Sequence, residues 1–149
     1  MILVDSSAWI EFDRATESSV DRRLTSLIEE GGRIVVTEPV VMEVASGART
    51  DAREGQLRRM LAGFELLQFD VVADFEGATK IYRTCRQAGI TPRGMIDCMI
   101  ASVAWRHGAS LLAQDVDMAR MAKVIGLEMD PSSPPPAGAQ AGHRRLTAR

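Results

Sequence analysis

The sequence predicts an α/β fold: a three-layer α/β/α sandwich with a mostly parallel central sheet of four or five strands. Short apolar runs of strand length alternate with longer patterns of helical period along most of the chain. Strands separated by helices need crossover connections, which make the strands parallel and place helices on both faces of the sheet. With 149 residues, 46% of them hydrophobic, the chain has enough apolar material for one domain with a buried core.

Four short apolar runs predict the strands. Ile2–Val4 ends directly at Asp5, and Ile34–Val36 is β-branched throughout. Leu66–Phe69 is expected at an edge of the sheet, and Ser110–Leu112 is the fourth run. Ligands of open parallel sheets bind beyond the carboxyl ends of the strands. The residues that follow these runs are therefore the first candidates for a functional site.

Seven patterns of helical period lie between and after these runs. Serine favours helix starts and glycine favours helix ends, so Ser18 and Ser19 indicate one start, and Gly89 and Gly108 indicate two ends. The first predicted helix starts at Ser6 or Ser7 and leads into Ala8–Phe12. The others are Ser19–Glu30, Pro39–Ser46, Asp51–Ala62, Val72–Ala88, Met95–His107 and Val116–Ile125.

The composition changes after Asp130. The run Pro131–Pro136 contains four prolines and two serines, and no periodic apolar pattern follows it. Such a segment buries too little apolar surface to offset the entropy of its chain. We therefore predict one folded domain over residues 1–130 and a disordered or extended tail over residues 131–149, which is made basic by Arg144, Arg145 and Arg149.

Charge and cysteine content narrow the possible classes of protein. The formal net charge of −2 provides no global basic excess, so any contact with nucleic acid must come from local arginine clusters. Cys85 and Cys98 lack the paired spacing of a zinc site or a disulfide framework, and His107 and His143 form no spaced pair. The opening apolar run ends at Asp5 and is too short for a secretory signal. No run is long enough for a membrane span, so we expect a cytoplasmic protein.

Three acids follow predicted strands. Asp5 comes directly after Ile2–Val4, and Asp115 and Asp117 come shortly after Ser110–Leu112. The carboxyl ends of parallel strands meet at one edge of a sheet, so Asp5 and Asp115 should lie close together. Helix capping is the alternative, because Asp is a favoured N-cap between a strand and a helix.

Two further acids lie within apolar helical patterns. Glu43 has apolar neighbours on nearly every side, and Asp97 shares its helix face with isoleucine and alanine. A buried carboxylate must be paired, protonated or bound to a cation. The alternative to a cation is a simple ion pair, of Arg93 with Asp97 or of Arg49 with Glu43.

The joint pattern of these acids indicates a metal centre. Four carboxylates in one pocket would repel one another unless a cation neutralised them. Mg²⁺ and Mn²⁺ prefer such oxygen ligands, and metals bound in this way can activate water for phosphodiester cleavage. The pattern therefore predicts a Mg²⁺- or Mn²⁺-dependent hydrolase with four catalytic acids: Asp5, Glu43, Asp97 and Asp115.

Four segments together carry a resemblance to a known family. Val4–Trp9, Glu38–Gly47, Ile96–Ala101 and Leu111–Asp117 resemble PIN-domain proteins, and most of all the VapC toxins of bacterial toxin–antitoxin pairs. The similarity runs in order from residue 1 to about residue 129. It implies a PIN-like nuclease domain acting as a Mg²⁺- or Mn²⁺-dependent endoribonuclease. The implied substrates are structured RNAs such as tRNA or rRNA, cut in single-stranded loops. The implied partners are a second copy of the chain and a small VapB-like antitoxin.

The resemblance also assigns roles to single residues. Asp5, Glu43 and Asp97 match the three most regular acids of the family, Asp115 matches the fourth, and Asp117 matches an auxiliary acid near the metal. All five are thus expected to be metal ligands.

Substrate contacts are expected from three other residues. Ser7 falls where the family often has a small hydroxyl residue beside the first Asp, and Arg49 and Arg93 are candidates for phosphate contact. The sequence departs from the family pattern at Ala113 and Gln114, where relatives often carry Thr, Ser or His followed by Arg.

Two other functions fit part of the same pattern. In a non-catalytic interaction module, the acids would bind an arginine of a partner protein without turning over RNA. An aspartyl-phosphate phosphatase would use Asp5 as its nucleophile, but Ser7 occupies the position where that chemistry usually requires a second Asp.

Overall fold

Four short parallel strands form the central sheet of the computed structural model, which describes residues 1–138. They are β1 (Ile2–Val4), β2 (Ile34–Val36), β3 (Glu65–Leu66) and β4 (Ser110–Leu112). Their spatial order is β3-β2-β1-β4, and each neighbouring pair is parallel. Because β1 lies between β2 and β4, the residue that follows it is central at the carboxyl edge of the sheet.

Seven helices connect and follow these strands within the described residues. They are α1 (Ser6–Asp13), α2 (Ser19–Glu29), α3 (Glu38–Ser46), α4 (Asp51–Leu61), α5 (Ala73–Gln87), α6 (Met95–His107) and α7 (Val116–Ile125). Gly108 and Gly126 end α6 and α7 with φ values of 62° and 71°, the left-handed conformation that glycine adopts without strain. The predicted α/β fold with a parallel sheet is confirmed.

One element differs from its predicted bounds by more than a single residue at an end. The edge strand was expected over Leu66–Phe69, but β3 is Glu65–Leu66, because Glu65 and Leu66 are in register with Val35 and Val36 of β2. The first helix begins at Ser6, where the sequence indicated its start, because the carboxylate of Asp5 accepts a hydrogen bond from Ser7 N–H and caps the helix there.

The core lies on both faces of the sheet. Leu3 and Val4 of β1 and Leu111 and Leu112 of β4 are fully buried. Burial of each such side chain stabilises the folded state by roughly 1.5–3 kcal/mol relative to leaving it exposed. Helices supply the large side chains that complete this core, among them Trp9, Leu24, Leu61, Ile100 and Met118. This packing fixes where the strand ends lie relative to one another.

The chain that follows α7 runs back along β4. Met129 forms a parallel bridge with Leu111, and Asp130 N–H donates to the Leu111 carbonyl at 2.8 Å. The buried carboxylate of Asp130 binds Arg23 of α2 at 3.1 Å. The predicted lack of structure over residues 131–149 stays a prediction, and residues 139–149, including Arg144, Arg145 and Arg149, lie outside the described residues. No helix between residues 1 and 138 combines the length and the apolar character that crossing a membrane requires.

Helices α5 and α6 approach each other closely around a buried ion pair. Asp74 is fully buried and accepts hydrogen bonds from Arg106 at 2.6 and 3.0 Å and from the Ser102 hydroxyl at 2.9 Å. Burial acts to raise the pKa of Asp74, but the hydrogen bonds, that of Arg106 first, hold the pKa below its ordinary value. Gly77 lies beside this network, and a β-carbon there would collide with the Ser102 hydroxyl.

We expect Gly77→Ala to destabilise the protein by about 1–2 kcal/mol. Overpacking at the helix contact outweighs the roughly 1 kcal/mol by which alanine favours a helix over glycine. Urea denaturation followed by circular dichroism measures the change. Gly55→Ala in α4 is the matched control, because its β-carbon meets only the end of the Arg59 side chain. A Gly77→Ala protein as stable as Gly55→Ala would contradict the close contact.

Candidate metal centre

Three carboxylates converge beyond the carboxyl end of β1. Asp5 follows that strand, Glu43 lies in α3 and Asp97 lies in the first turn of α6. One oxygen of each carboxylate lies within 4.8 Å of the corresponding oxygens of the other two. The structure thus brings together three of the predicted acids, although 38 and 54 residues separate them along the chain (43 − 5 and 97 − 43).

Asp5 lies at the centre of the cluster and is 3% exposed. Its Oδ2 accepts hydrogen bonds from the Ser7 N–H at 3.0 Å and the Ser7 hydroxyl at 2.5 Å. Its Oδ1 is buried, and no hydrogen-bond donor in the described part of the chain reaches it. A buried carboxylate oxygen without a partner costs free energy, so this atom is available to a cation.

Ionising all the carboxylates of the cluster at once is unfavourable. Burial, together with repulsion from Glu43 and Asp115, raises the pKa of Asp5 to about 6, although the hydrogen bonds from Ser7 oppose the rise. Burial raises the pKa of Asp97 to about 7, and the charges of Asp5, Asp115 and Glu43 add to this effect. Arg93 lowers the pKa of Asp97 but does not cancel the rise. The neighbouring carboxylates thus destabilise one another when they are ionised.

Arg93 binds the two acids that lie outside the three-carboxylate cluster. Its guanidinium forms ion pairs with Asp115 and, at 3.0 Å, with Asp117. Neither Arg93 nor Arg49 forms an ion pair with Asp97 or Glu43 among the described residues, so the predicted simple pairs do not explain those two acids. The roles of Asp115 and Asp117 as metal ligands stay predictions.

Asp115 nevertheless belongs to the same cleft. The cleft has a volume of about 430 Å³, and Asp5, Glu43, Asp97, Arg93 and Asp115 contribute to its walls. Asp115 also caps α7, since its Oδ1 accepts a hydrogen bond from the Asp117 N–H at 2.8 Å. Capping and membership of the acidic cleft, which the sequence left as alternatives, are therefore both present.

Arg49 lies in an adjoining groove. This second groove also has a volume of about 430 Å³, and it shares Glu43 and Ile10 with the acidic cleft. Arg49 is exposed in this groove near Arg53. Its predicted role in phosphate contact stays a prediction, and its position makes it accessible to a chain that leaves the acidic cleft on this side.

Hydroxyl groups position the acids, and sequence analysis found only one of them. Ser7 donates to Asp5 and accepts a hydrogen bond from Gln114 N–H at 2.9 Å, and its contact with substrate stays a prediction. The Ser6 hydroxyl donates to Glu43 Oε1 at 2.5 Å. Ser6 adjoins Asp5 in sequence, but its partner lies 37 residues away, and no local pattern indicates that contact.

The donor set fits a hard divalent cation. Three carboxylates offer oxygen ligands within reach of one another, and the unpaired Asp5 Oδ1 is among the buried oxygens. Mg²⁺ and Mn²⁺ prefer oxygen ligands, and their charge would offset the burial and the repulsion that together raise the pKa of Asp5 and Asp97.

A parallel α/β sheet with a carboxylate cluster at its carboxyl edge is an architecture suited to binding a divalent metal, and comparison with known proteins identifies the family. A family model described as the PIN domain matches residues 2–124. The chain belongs to the PIN-domain family. It is 44% identical over 131 residues to the ribonuclease VapC11 of Mycobacterium tuberculosis and to a VapC ribonuclease of Mycobacterium bovis. Each alignment covers 86% of this chain and 96% of the relative.

A solved structure supports the fold independently. The VapBC2 complex of Rickettsia felis, bound to a DNA fragment from its promoter, contains a chain that superposes with a TM-score of 0.69 at 17% identity. The superposition covers 87% of this chain and 98% of that chain. At this level of identity the likeness concerns the fold, and it confirms the predicted PIN-like sandwich.

We expect Asp97→Asn to stabilise the metal-free protein at pH 8 more than at pH 4. The pKa of Asp97 is about 7 in the folded state, above the ordinary value of 3.8. Between these values the folded protein retains a proton that the unfolded chain has released, so stability falls as the pH rises from about 4 to 7. Asparagine cannot ionise and removes this penalty, which is up to about 4 kcal/mol for a pKa shift of this size and is reduced by solvent screening at this part-exposed site.

Thermal unfolding in EDTA at both pH values measures the effect. Asp51→Asn, at an exposed position of α4, provides the matched control. If Asp97→Asn changes the thermal midpoint by the same amount at pH 4 and at pH 8, the charge of Asp97 does not destabilise the fold.

Proposed function

We propose that this protein is a Mg²⁺- or Mn²⁺-dependent endoribonuclease and the toxin of a type II toxin–antitoxin pair. The observation that carries the proposal is the convergence of Asp5, Glu43 and Asp97, with a buried and unpaired Asp5 oxygen, in an open cleft. The names of the 44% identical relatives, which are VapC ribonucleases, support RNA as the substrate. Structured RNA such as tRNA or rRNA, cut in single-stranded loops, is the substrate class we propose.

In this proposal Asp5, Glu43 and Asp97 bind the metal, and Asp115 and Asp117 lie beside it as further acidic ligands. When bound, a divalent cation supplies an activated water and stabilises charge on the leaving oxygen in phosphodiester cleavage. The protein supplies orientation: Ser7 fixes the Asp5 carboxylate and Ser6 fixes that of Glu43. These hydrogen bonds keep two ligands from turning away from a neighbour that repels them.

Arg93 and Arg49 are the proposed phosphate contacts. Arg93 is 65% exposed at the mouth of the cleft, so its guanidinium can exchange a carboxylate for an RNA phosphate at little cost. Arg49 extends the basic surface into the adjoining groove. We further propose a second copy of the chain and a small VapB-like antitoxin as partners, in line with the VapBC complexes among its structural neighbours. Cytoplasmic localisation stays a prediction from sequence.

The proposal is tested by cleavage of a pooled tRNA and rRNA substrate with Mn²⁺ or with EDTA. We expect discrete fragments with Mn²⁺ only, and we expect Asp5→Asn to lower the rate by at least about 100-fold, because the central ligand loses its charge. Glu29→Gln, an exposed substitution in α2, should cut at the parent rate. Absence of both Mn²⁺ binding and RNA cleavage would favour the interaction module, and cleavage that persists in EDTA would contradict the metal centre.

A second prediction separates substrate binding from metal binding. Arg93→Gln should raise the KM for RNA about fivefold to tenfold, the loss expected for one charged phosphate contact, while leaving Mn²⁺ affinity equal or tighter. The affinity should not weaken, because the substitution removes a cation that competes for Asp115. Arg58→Gln is the control, since Arg58 pairs with Glu54 along α4. An unchanged KM would exclude Arg93 from substrate contact.

A further inference from the structure

The loop between β4 and α7 carries Asp115 into the acidic cleft, and its backbone is fixed by three successive hydrogen bonds. Asp5 N–H donates to the Leu112 carbonyl at 2.9 Å. Ala113 N–H donates to the hydroxyl of Ser133 at 3.1 Å, and Gln114 N–H donates to the hydroxyl of Ser7 at 2.9 Å. The position of Asp115, the next residue, therefore depends on these contacts.

Two serine hydroxyls from distant parts of the chain accept hydrogen bonds from this loop. Ser7 belongs to α1 and also donates to Asp5, so it links the loop directly to the carboxylate cluster. Ser133 belongs to the segment after α7, in the region where the sequence predicts a tail. Because Ala113 is fully buried, its N–H would lose its partner if the hydroxyl of Ser133 were removed.

The segment that carries Ser133 is itself anchored. Asp130 N–H binds the Leu111 carbonyl at 2.8 Å, and Asp130 pairs with Arg23 at 3.1 Å. Ser133 N–H then donates to the Asp130 carbonyl at 2.9 Å, which turns the chain back towards β4. The hydroxyl of Ser133 is thus presented by a fixed turn that is bound to β4 and α2.

We infer that Ser133 is a positioning residue of the active site, which acts through Ala113 on the placement of Asp115. Asp115 lies in the wall of the same cleft as the metal-binding carboxylates of Asp5, Glu43 and Asp97, so its charge acts on a cation bound there. A displaced Asp115 would therefore attract a divalent cation less strongly. The side chain of Ala113 is a methyl group, and the hydroxyl that accepts from its backbone N–H comes from Ser133.

The test compares Ser133→Ala, Ser133→Thr and Ser132→Ala in the full-length chain. Ser132 is the matched control, because it donates to Asp130 through its backbone N–H, which the substitution to alanine keeps. Mn²⁺ affinity, measured by electron paramagnetic resonance of free Mn²⁺, is the first readout. We expect Ser133→Ala to weaken it about tenfold, the size of an outer-sphere effect on a metal site. Ser133→Thr should stay within about twofold of the parent, since threonine keeps the hydroxyl.

Amide hydrogen exchange is the second readout and does not depend on metal. Ser133→Ala should speed exchange at Ala113 and Gln114 by about tenfold, while exchange in α2 stays at the parent rate. Parent-like exchange at these two amides together with parent-like Mn²⁺ affinity would overturn the inference. A lowered thermal midpoint with unchanged Mn²⁺ affinity would also overturn it, since that result describes a structural role alone.

The inference rests on the proposed metal centre, but the two fail in different ways. Failure of the parent protein to cleave RNA with Mn²⁺ contradicts the proposed function. The role of Ser133 is tested by comparing the Mn²⁺ affinity and the amide exchange rates of each variant with those of the parent protein. Neither measurement requires RNA.

Discussion

Repulsion among carboxylates at the end of a buried strand is the constraint on which the site depends. Asp5, Glu43 and Asp97 approach within 4.8 Å because the strands and helices that carry them are fixed by the core, and not because the acids attract one another. Burial, with this repulsion added to it, raises the pKa of both Asp5 and Asp97. Folding free energy from apolar burial thus maintains a charge arrangement that only a proton or a cation can relieve.

Two other buried acids of this chain are neutralised by arginines. Asp74 is fully buried but is neutralised by Arg106, and Asp130 is neutralised by Arg23. Both pairs join elements of the scaffold, α5 to α6 and the last segment to α2. At the acidic cleft the nearby arginine, Arg93, binds the outer acids and leaves Asp5 without a charged partner. This contrast distinguishes acids that stabilise the fold from acids that are available for a ligand.

Local pattern was sufficient to predict the strands, the helices and the positions of the acids, because β-branched runs, helical period and caps are short-range signals. It failed for contacts set by tertiary structure. The register of β2 fixes β3, so the edge strand began earlier than its apolar run indicated. Arg93 lies one turn before Asp97 in sequence but binds acids that follow β4. Ser133 carries no local signal at all, since its partner Ala113 lies 20 residues earlier.

The long sequence separations within the cluster have a consequence for synthesis. Asp97 emerges from the ribosome 92 residues after Asp5 (97 − 5), which is roughly 5–20 s later at about 5–20 residues per second. Ser133, which contacts the loop before Asp115, is translated later still. A nascent chain therefore cannot assemble the complete acidic centre until almost all of its fold has been made. Because the chain is made from its N-terminus to its C-terminus, the elements β1 to α5 can begin to fold before the site is able to act.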